Sequence, residues 1–358
     1  MKETRNYNIH NVLKIQINRE KKFDLMRGFD LELSPFRVFR DIGNPDIILN
    51  VGKFTPSNND CFVIDHKYYV KDNYFYCKDS GGNIKWEVEI WGFEKGPAIV
   101  NFNYKIVKPK ALVSRLSVET FLLRPLMYYK LLEKGYVMIH SAGVSKEGEA
   151  YIFPGRGGAF KTSLTMGFIK RANFKYLGDD RVILYQDRVL SFPAHFYSFQ
   201  YTYQKRDDEF ISYFDKLKFI FNHDKYINYI NKNVLPIEDS SKLRAVFFVV
   251  KKNTREVKFT KLETQEAITK LINSSKMEMK AISDSIPGFF LNPYYTYMQA
   301  YSYVFPKSRV GKYWDNLKKE LGAILKKDIP IYEIKIPEKY TQTVFREVLT
   351  FVRGLKWP

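Results

Sequence analysis

Cysteine is scarce in this sequence, with two copies, Cys61 and Cys77, among 358 residues. They lie in neighbouring strand-like stretches and could pair, but two cysteines in a chain of this length are more typical of reduced, buried thiols. Neither is accompanied by the second Cys or His pair that a structural zinc site needs. The sequence therefore gives no support for a zinc module or for a small domain that depends on disulfides.

Long apolar runs are also missing. The best candidate, residues 245–250, is far shorter than the roughly 20 residues that a helix needs to cross a bilayer. The first eleven residues lack the apolar centre of a secretory signal peptide. We therefore expect a cytoplasmic protein without a membrane span.

Acidic residues are fewer than basic ones: the sequence has 39 Asp and Glu and 58 Lys and Arg, which gives a net charge of +19. Such a surplus favours acidic partners, although a solvated lysine-rich surface explains it equally well. No recognisable motif for binding RNA or DNA accompanies the charge, so nucleic acid is not the expected partner. A hydrophobic content of 45% excludes a disordered chain.

The first 110 residues have the pattern of a β-rich module. Apolar or alternating runs are separated by turn signals such as Ser80-Gly81-Gly82-Asn83, and no catalytic grouping is found among them. We predict a mostly antiparallel N-terminal domain, residues 1–110. Its predicted strands are 12–17, 46–51, 61–64, 68–70, 74–77, 84–90 and 98–106.

Residues 111–358 alternate strand and helix patterns, which is typical of an α/β domain. The polar, aromatic stretch 200–233 is either a lid, an acceptor-binding insertion or a solvated helix pair. Predicted strands are 136–139, 150–153, 174–177, 181–185, 188–192, 243–250 and 329–336. Predicted helices are 117–133, 264–279, 287–305, 313–325 and 341–352.

A glycine-rich turn joins the strand at 150–153 to a helix that begins at Lys161. The turn approximates the phosphate-binding pattern G-x-x-x-x-G-K-[ST], with Phe160 at the position of the second glycine. Backbone N–H groups and the helix dipole would face an anion here, Lys161 would reach the outer phosphates, and the Thr162 hydroxyl would hold Mg²⁺. The predicted nucleotide-binding residues are Gly155, Arg156, Gly157, Gly158, Ala159, Phe160, Lys161, Thr162 and Ser163.

Two carboxylates, Asp179 and Asp180, follow the next predicted strand, 18 residues after Lys161. Beside bound phosphates, one carboxylate suits a metal ligand and the other a general base. Because neighbouring residues that leave a strand point to opposite sides, the two can face different groups. His140 lies just upstream, at the end of another predicted strand.

This constellation resembles the HPr kinase/phosphorylase family and its HPr-kinase-like relatives, which share a nucleotide-binding core with phosphoenolpyruvate carboxykinases. The resemblance implies a P-loop α/β domain that transfers phosphate from ATP, or another nucleoside phosphate, with Mg²⁺ to a hydroxyl, above all serine, of a peptide, protein or small molecule. The matching segments are His140 with Gly143-Val144, Gly155 to Thr162, Lys170-Arg171, and Asp179-Asp180-Arg181-Val182.

The resemblance also implies roles for single residues. Asp179 would accept the acceptor's proton, His140 would lie near the γ-phosphate, and Lys161 would neutralise the transferring group. Thr162 and Asp180 would hold Mg²⁺. Further candidate cations are Arg156, Arg181 and Arg244.

Phe160 leaves a second function open. The final glycine of the pattern lets the backbone pass close to phosphate without a Cβ, so phenylalanine requires either a reshaped loop or a different anion. The alternative to a kinase is a catalytically degenerate nucleotide-binding regulator or ATPase of the same fold. The sequence does not fix the oligomeric state, and a homo-oligomer is one alternative.

Overall fold

The structure is a computed structural model that describes residues 2–20, 33–81, 84–92, 94–106, 115–193, 236–281, 293–326 and 328–355. Contacts divide the chain into two compact units, residues 1–135 with 276–319 and residues 136–275 with 320–358. The predicted division at residue 110 stays a prediction. The stretch 200–233 and the first part of the predicted helix 287–305 lie outside the described residues. No helix in the described ranges has the length and apolarity to span a membrane.

The first unit contains a nine-stranded mixed sheet, in the order β3-β1-β2-β4-β9-β8-β7-β6-β5. The neighbours β2 and β4, and β4 and β9, run parallel, while the other neighbouring pairs are antiparallel. Most neighbouring strands of this sheet are therefore antiparallel, as predicted, and two neighbouring pairs are parallel. The strands are β1 Lys2–Ile9, β2 Leu13–Glu20, β3 Arg37–Val38, β4 Ile47–Val51, β5 Phe62–Ile64, β6 Tyr68–Lys71, β7 Tyr74–Gly81, β8 Ile84–Trp91 and β9 Ala98–Ile106.

One face of this sheet is apolar and the other carries a row of amide side chains. Leu13, Ile15 and Ile17 are fully buried, and the residues between them are partly exposed, as strand alternation requires. On the polar face, Asn18 donates to Asn50 (3.0 Å), Asn50 donates to Asn101 (3.0 Å), and Asn101 donates to the buried carboxylate of Glu89 (2.9 Å). These cross-strand bonds help to fix the register of the parallel pairs.

The second unit contains another large mixed sheet, in the order β10-β14-β15-β16-β12-β11-β13, with β18 beside β16 and β17 beside β18. The long strand β16 runs parallel to β12 and to β18, so the carboxyl ends of these three strands share one edge. The strands are β10 Val137–Ile139, β11 Ser141–Lys146, β12 Glu149–Pro154, β13 Lys175–Gly178, β14 Arg181–Tyr185, β15 Arg188–Phe192, β16 Ser240–Lys251, β17 Lys258–Lys261 and β18 Ile331–Ile336.

Six α-helices lie in the described part of the chain. They are α1 Arg115–Glu133, α2 Lys161–Ala172, α3 Thr264–Ala281, α4 Pro293–Val304, α5 Tyr313–Ile324 and α6 Gln342–Gly354. Helix α1 continues through Pro125. Thr341 caps α6 by accepting a hydrogen bond from the Val344 N–H.

Aromatic packing holds α2 against its sheet. Phe168 contacts Phe153 of β12 at 5.3 Å between ring centroids and Phe345 of α6 at 5.6 Å. Gly167 makes room for this contact, because a Cβ there would come within 2.5 Å of the Phe345 ring. The helix that follows the glycine-rich turn is therefore fixed on two sides by the core of the second unit.

The observed elements agree with most predicted ones, and the differences have local causes. The hairpin of β14 and β15 has the predicted bounds, since both strands alternate around a clear turn. Strand β1 was not predicted because its sequence is largely polar, although Tyr7 and Ile9 are buried. Strand β17 was not predicted because it is short and largely polar and follows a run of basic residues. Cys61 and Cys77 are both free thiols.

Candidate functional site

The glycine-rich turn leaves β12 at Pro154 and enters α2 at Lys161, as predicted. Gly155 lies against the backbone of β16, and a Cβ at this position would come within 2.7 Å of the Val249 carbonyl oxygen. Gly158 adopts a φ of +78°, a conformation that favours glycine. Gly155 is required because the backbone of β16 leaves no space for a side chain, and Gly158 is favoured because of its positive φ. Larger residues at these positions would disturb the path of the loop.

Phe160 also adopts a left-handed conformation, with φ 59° and ψ 20°. The position where the phosphate-binding pattern has glycine thus has a glycine-like backbone, held by a residue that disfavours it by roughly 1–2 kcal/mol. The ring packs against Tyr340, with 5.3 Å between centroids, and belongs to the margin of the core. The Phe160 carbonyl accepts the first helical bond, from the Leu164 N–H (2.9 Å). The Phe160 side chain does not accept a hydrogen bond from the first turn of α2. The N–H groups of this turn point toward the loop, where they could donate to a bound anion.

Lys161 is a buried cation at the first position of α2, with 7% of its surface exposed. Its Nζ donates to the carbonyl oxygens of Gly155 (2.6 Å) and Arg156 (3.2 Å) and lies 3.1 Å from Nε2 of His140. These contacts draw the ammonium group to the inside of the glycine-rich loop. The charge is therefore placed where a bound phosphate would be enclosed.

His140 links this lysine to the aspartate pair. It lies between β10 and β11 with its Nε2 toward Lys161 and its Nδ1 3.1 Å from Oδ1 of Asp180. An ammonium group has donors only, so Nε2 acts as the acceptor and the ring proton is on Nδ1, facing Asp180. The other oxygen of Asp180 lies 2.8 Å from the guanidinium of Arg181, which is buried. A continuous polar chain thus runs from Lys161 through His140 and Asp180 to Arg181.

Asp179 is buried, and its contact is with Thr162 rather than with His140 or Arg181 as for Asp180. The Thr162 hydroxyl donates to Oδ2 of Asp179 at 2.9 Å. Its Oδ1 is buried and has no hydrogen-bond partner among the described residues. Burial raises the pKa of Asp179 to about 6, and the nearby charge of Asp180 acts in the same direction; the Thr162 hydrogen bond and the charge of Lys161 oppose the rise.

Carboxylate and hydroxyl oxygens are ligands that Mg²⁺ accepts, and a buried carboxylate oxygen without a partner is what a missing cation would satisfy. Thr162 and Asp179 therefore fit a divalent cation. Thr162 and Asp180 were the predicted Mg²⁺ ligands, and that pairing stays a prediction. The Thr162 hydroxyl contact in the structure is with Asp179.

The structure brings five predicted residues together, and these are His140, Lys161, Thr162, Asp179 and Asp180. Of the candidate arginines, Arg181 is part of the same group. Arg156 donates to the Ser274 carbonyl at 3.3 Å, and Arg244 lies 3.9 Å from Glu149 at the start of β12, the end remote from the loop. Lys251, which ends β16 beside the loop, was not among the predicted site residues, because the sequence does not show which strand lies next to β12.

Comparisons with known proteins add no family. Models of protein families give no match to the chain, and a search of curated proteins gives none either. The resemblance to HPr-kinase-like proteins therefore stays a prediction made from the sequence motifs.

The raised pKa of Asp179 predicts that the stability of the fold depends on pH. Asp179 is protonated in the fold up to about pH 6 but in the unfolded chain only up to about pH 4. Its stabilising contribution is therefore complete below pH 4 and is lost as the pH rises through 6. Asp179→Asn should remove this loss and raise the free energy of unfolding by up to about 3 kcal/mol at pH 7.5 but by only about 1 kcal/mol at pH 4.5.

Urea denaturation of both proteins at the two pH values measures this difference. Asp180→Asn is the matched control and should give no gain at pH 7.5, because Asp180 is partly exposed and lies against His140 and Arg181. An equal gain for Asp179→Asn at both pH values, or no gain at either, would contradict the assignment.

Proposed function

We propose that the protein is a nucleotide- and Mg²⁺-dependent phosphotransferase that acts on a hydroxyl group. The observation that carries this proposal is a buried lysine inside a glycine-rich loop at a helix N-terminus, near a buried carboxylate with one oxygen that has no hydrogen-bond partner among the described residues. A helix N-terminus alone would suggest only an anion. The carboxylate and the lysine together favour an anion that arrives with a divalent cation, as a nucleoside phosphate does.

The phosphate subsite is the loop from Gly155 to Lys161. Two of the Lys161 contacts are backbone carbonyls, and phosphate oxygens are stronger acceptors for an ammonium group than neutral carbonyls are. A bound phosphate would therefore take over donors that now hold the loop closed. The dipole of α2 adds positive potential at the same place.

Thr162 and Asp179 form the proposed metal subsite. A magnesium ion there would neutralise charge on the phosphate groups and bridge them to the protein. Asp179, whose Oδ2 accepts a hydrogen bond from the Thr162 hydroxyl, would hold the cation, which would supply positive charge beside the bound phosphates. Because the pKa of Asp179 is about 6, its carboxyl would have to be ionised for this role.

Asp180 is the group best placed to receive the acceptor's proton. Its side chain is 42% exposed, so an acceptor hydroxyl can reach it, whereas Asp179 is buried. His140 and Arg181 hold the two Asp180 oxygens and so fix the direction of the carboxylate. We therefore assign Asp180 as the base and His140 as a positioning residue, which exchanges the roles that the resemblance gives to the aspartates.

Lys161→Met tests the phosphate subsite. Methionine keeps the length and apolar packing of the side chain but removes the charge, so binding of Mg²⁺-ATP should weaken by about tenfold or more. Isothermal titration calorimetry measures the affinity, and Lys170→Met, at the exposed end of the same helix, is the matched control. Equal affinity of the two variants would remove Lys161 from the site.

The roles of Asp179 and Asp180 can be distinguished by measuring nucleotide affinity and the rate of phosphoryl transfer in single variants. Asp179→Asn should weaken the binding of Mg²⁺-nucleotide, while Asp180→Asn should leave binding unchanged and slow phosphoryl transfer by roughly 10²-fold. ADP release is measured with free serine and with serine-containing peptides as acceptors. The reverse pattern would restore the roles implied by the resemblance, and ADP release that ignores every acceptor would point to the ATPase alternative.

A further inference from the structure

Lys251 occupies the end of β16, directly beside the phosphate loop. Because β12 and β16 are parallel, their carboxyl ends lie at one edge of the sheet, and ligands of α/β proteins bind at such edges. Contact between the two elements is close, as the tight fit of Gly155 against the Val249 carbonyl shows. Lys251 follows two residues later and so lies at the border of the loop.

The other end of the loop also touches this strand end. Lys251 Nζ lies over the ring of Phe160, 4.2 Å from its centroid. The ring is fixed from another side by Tyr340, whose hydroxyl donates to the Ser163 carbonyl at 3.2 Å. Phe160 thus forms a supported aromatic surface that carries a cation one residue before Lys161.

Nothing in the described residues neutralises this cation. Lys251 is exposed, and no carboxylate among the described residues forms an ion pair with it; its contact is with the Phe160 ring. An exposed cation–π contact is weak, so an anionic oxygen can replace it. A lysine in this position is available for a ligand of opposite charge.

We propose that Phe160 and Lys251 form a second phosphate contact, in which the ring positions Lys251 to bind the terminal phosphate of a polyphosphate ligand. This inference rests on the nucleotide site proposed above. It explains the phenylalanine in the loop, since a glycine at 160 would leave Lys251 without support. Lys161 then acts from inside the loop and Lys251 from its border, so a ligand with more phosphates gains more from Lys251.

The test compares Lys251→Met with Lys252→Met, a neighbouring exposed lysine that has no contact with Phe160. Calorimetric titrations use ATP, ADP and AMP, each with Mg²⁺, and pyrophosphate with Mg²⁺. Lys251→Met should weaken ATP binding by about tenfold, the scale of one hydrogen bond to a charged group, with a smaller effect on ADP and none on AMP. Lys252→Met should bind all four ligands like the wild type.

The positioning role of Phe160 needs a separate measurement. Phe160→Leu keeps an apolar side chain at this position but removes the aromatic face. It should lower ATP affinity by a fewfold, and adding Lys251→Met to it should cost less than the same change in the wild type. A merely structural role would instead lower the melting temperature and leave the effect of Lys251→Met unchanged, which would overturn this part of the inference.

The outcomes separate the two proposals. If the wild type binds none of the phosphate ligands, the proposed function fails and this inference fails with it. If the wild type binds ATP but Lys251→Met equals Lys252→Met, the phosphate site stands and Lys251 is an ordinary surface lysine.

Discussion

The buried ammonium group of Lys161 is the interaction on which the rest of the site depends. A buried charge is costly unless every donor finds a partner. Here the loop carbonyls and His140 supply those partners and are themselves drawn together by it. The lysine thus fixes the loop conformation, the tautomer of His140 and, through that ring, the direction of Asp180. A single cation at the start of α2 organises groups from the junction of β10 and β11, the loop after β12 and the turn before β14.

The two aspartates show how backbone geometry divides chemistry between adjacent residues. Gly178 permits a turn so tight that a Cβ there would come within 2.1 Å of the Arg181 carbonyl oxygen. On leaving this turn, Asp179 enters the interior beside Thr162 and Asp180 stays partly exposed between His140 and Arg181. Burial raises the pKa of the first, while its neighbour stays partly exposed. Environment, rather than residue type, gives the two carboxylates different chemical properties.

Much of this site could be predicted from the sequence because its residues are local. The strand, turn and helix around Gly155 have period changes and glycines that mark their bounds, and the hairpin after Asp180 alternates clearly. The contact of Thr162 with Asp179 could not be predicted, because the direction of a side chain leaving a turn depends on backbone angles. The contacts of Lys251 and Tyr340 with Phe160 were equally hidden, because the parallel pairing of β16 with β12 and with β18 joins residues far apart in the sequence. Strand β1 was hidden by its polar composition.

Proton release on ligand binding tests directly whether Lys161 and Asp179 hold a metal-bound phosphate. Titration of the protein with Mg²⁺-ADP at pH 6 and pH 8, in buffers of different ionisation enthalpy, gives the number of protons exchanged. We expect about half a proton to be released at pH 6 and almost none at pH 8, because Asp179, with a pKa of about 6, must lose its proton to hold a cation. Asp179→Asn should abolish the release. Absence of binding, or tight binding at pH 6 with no proton released, would contradict the central claim that Lys161 and Asp179 together hold a metal-bound phosphate.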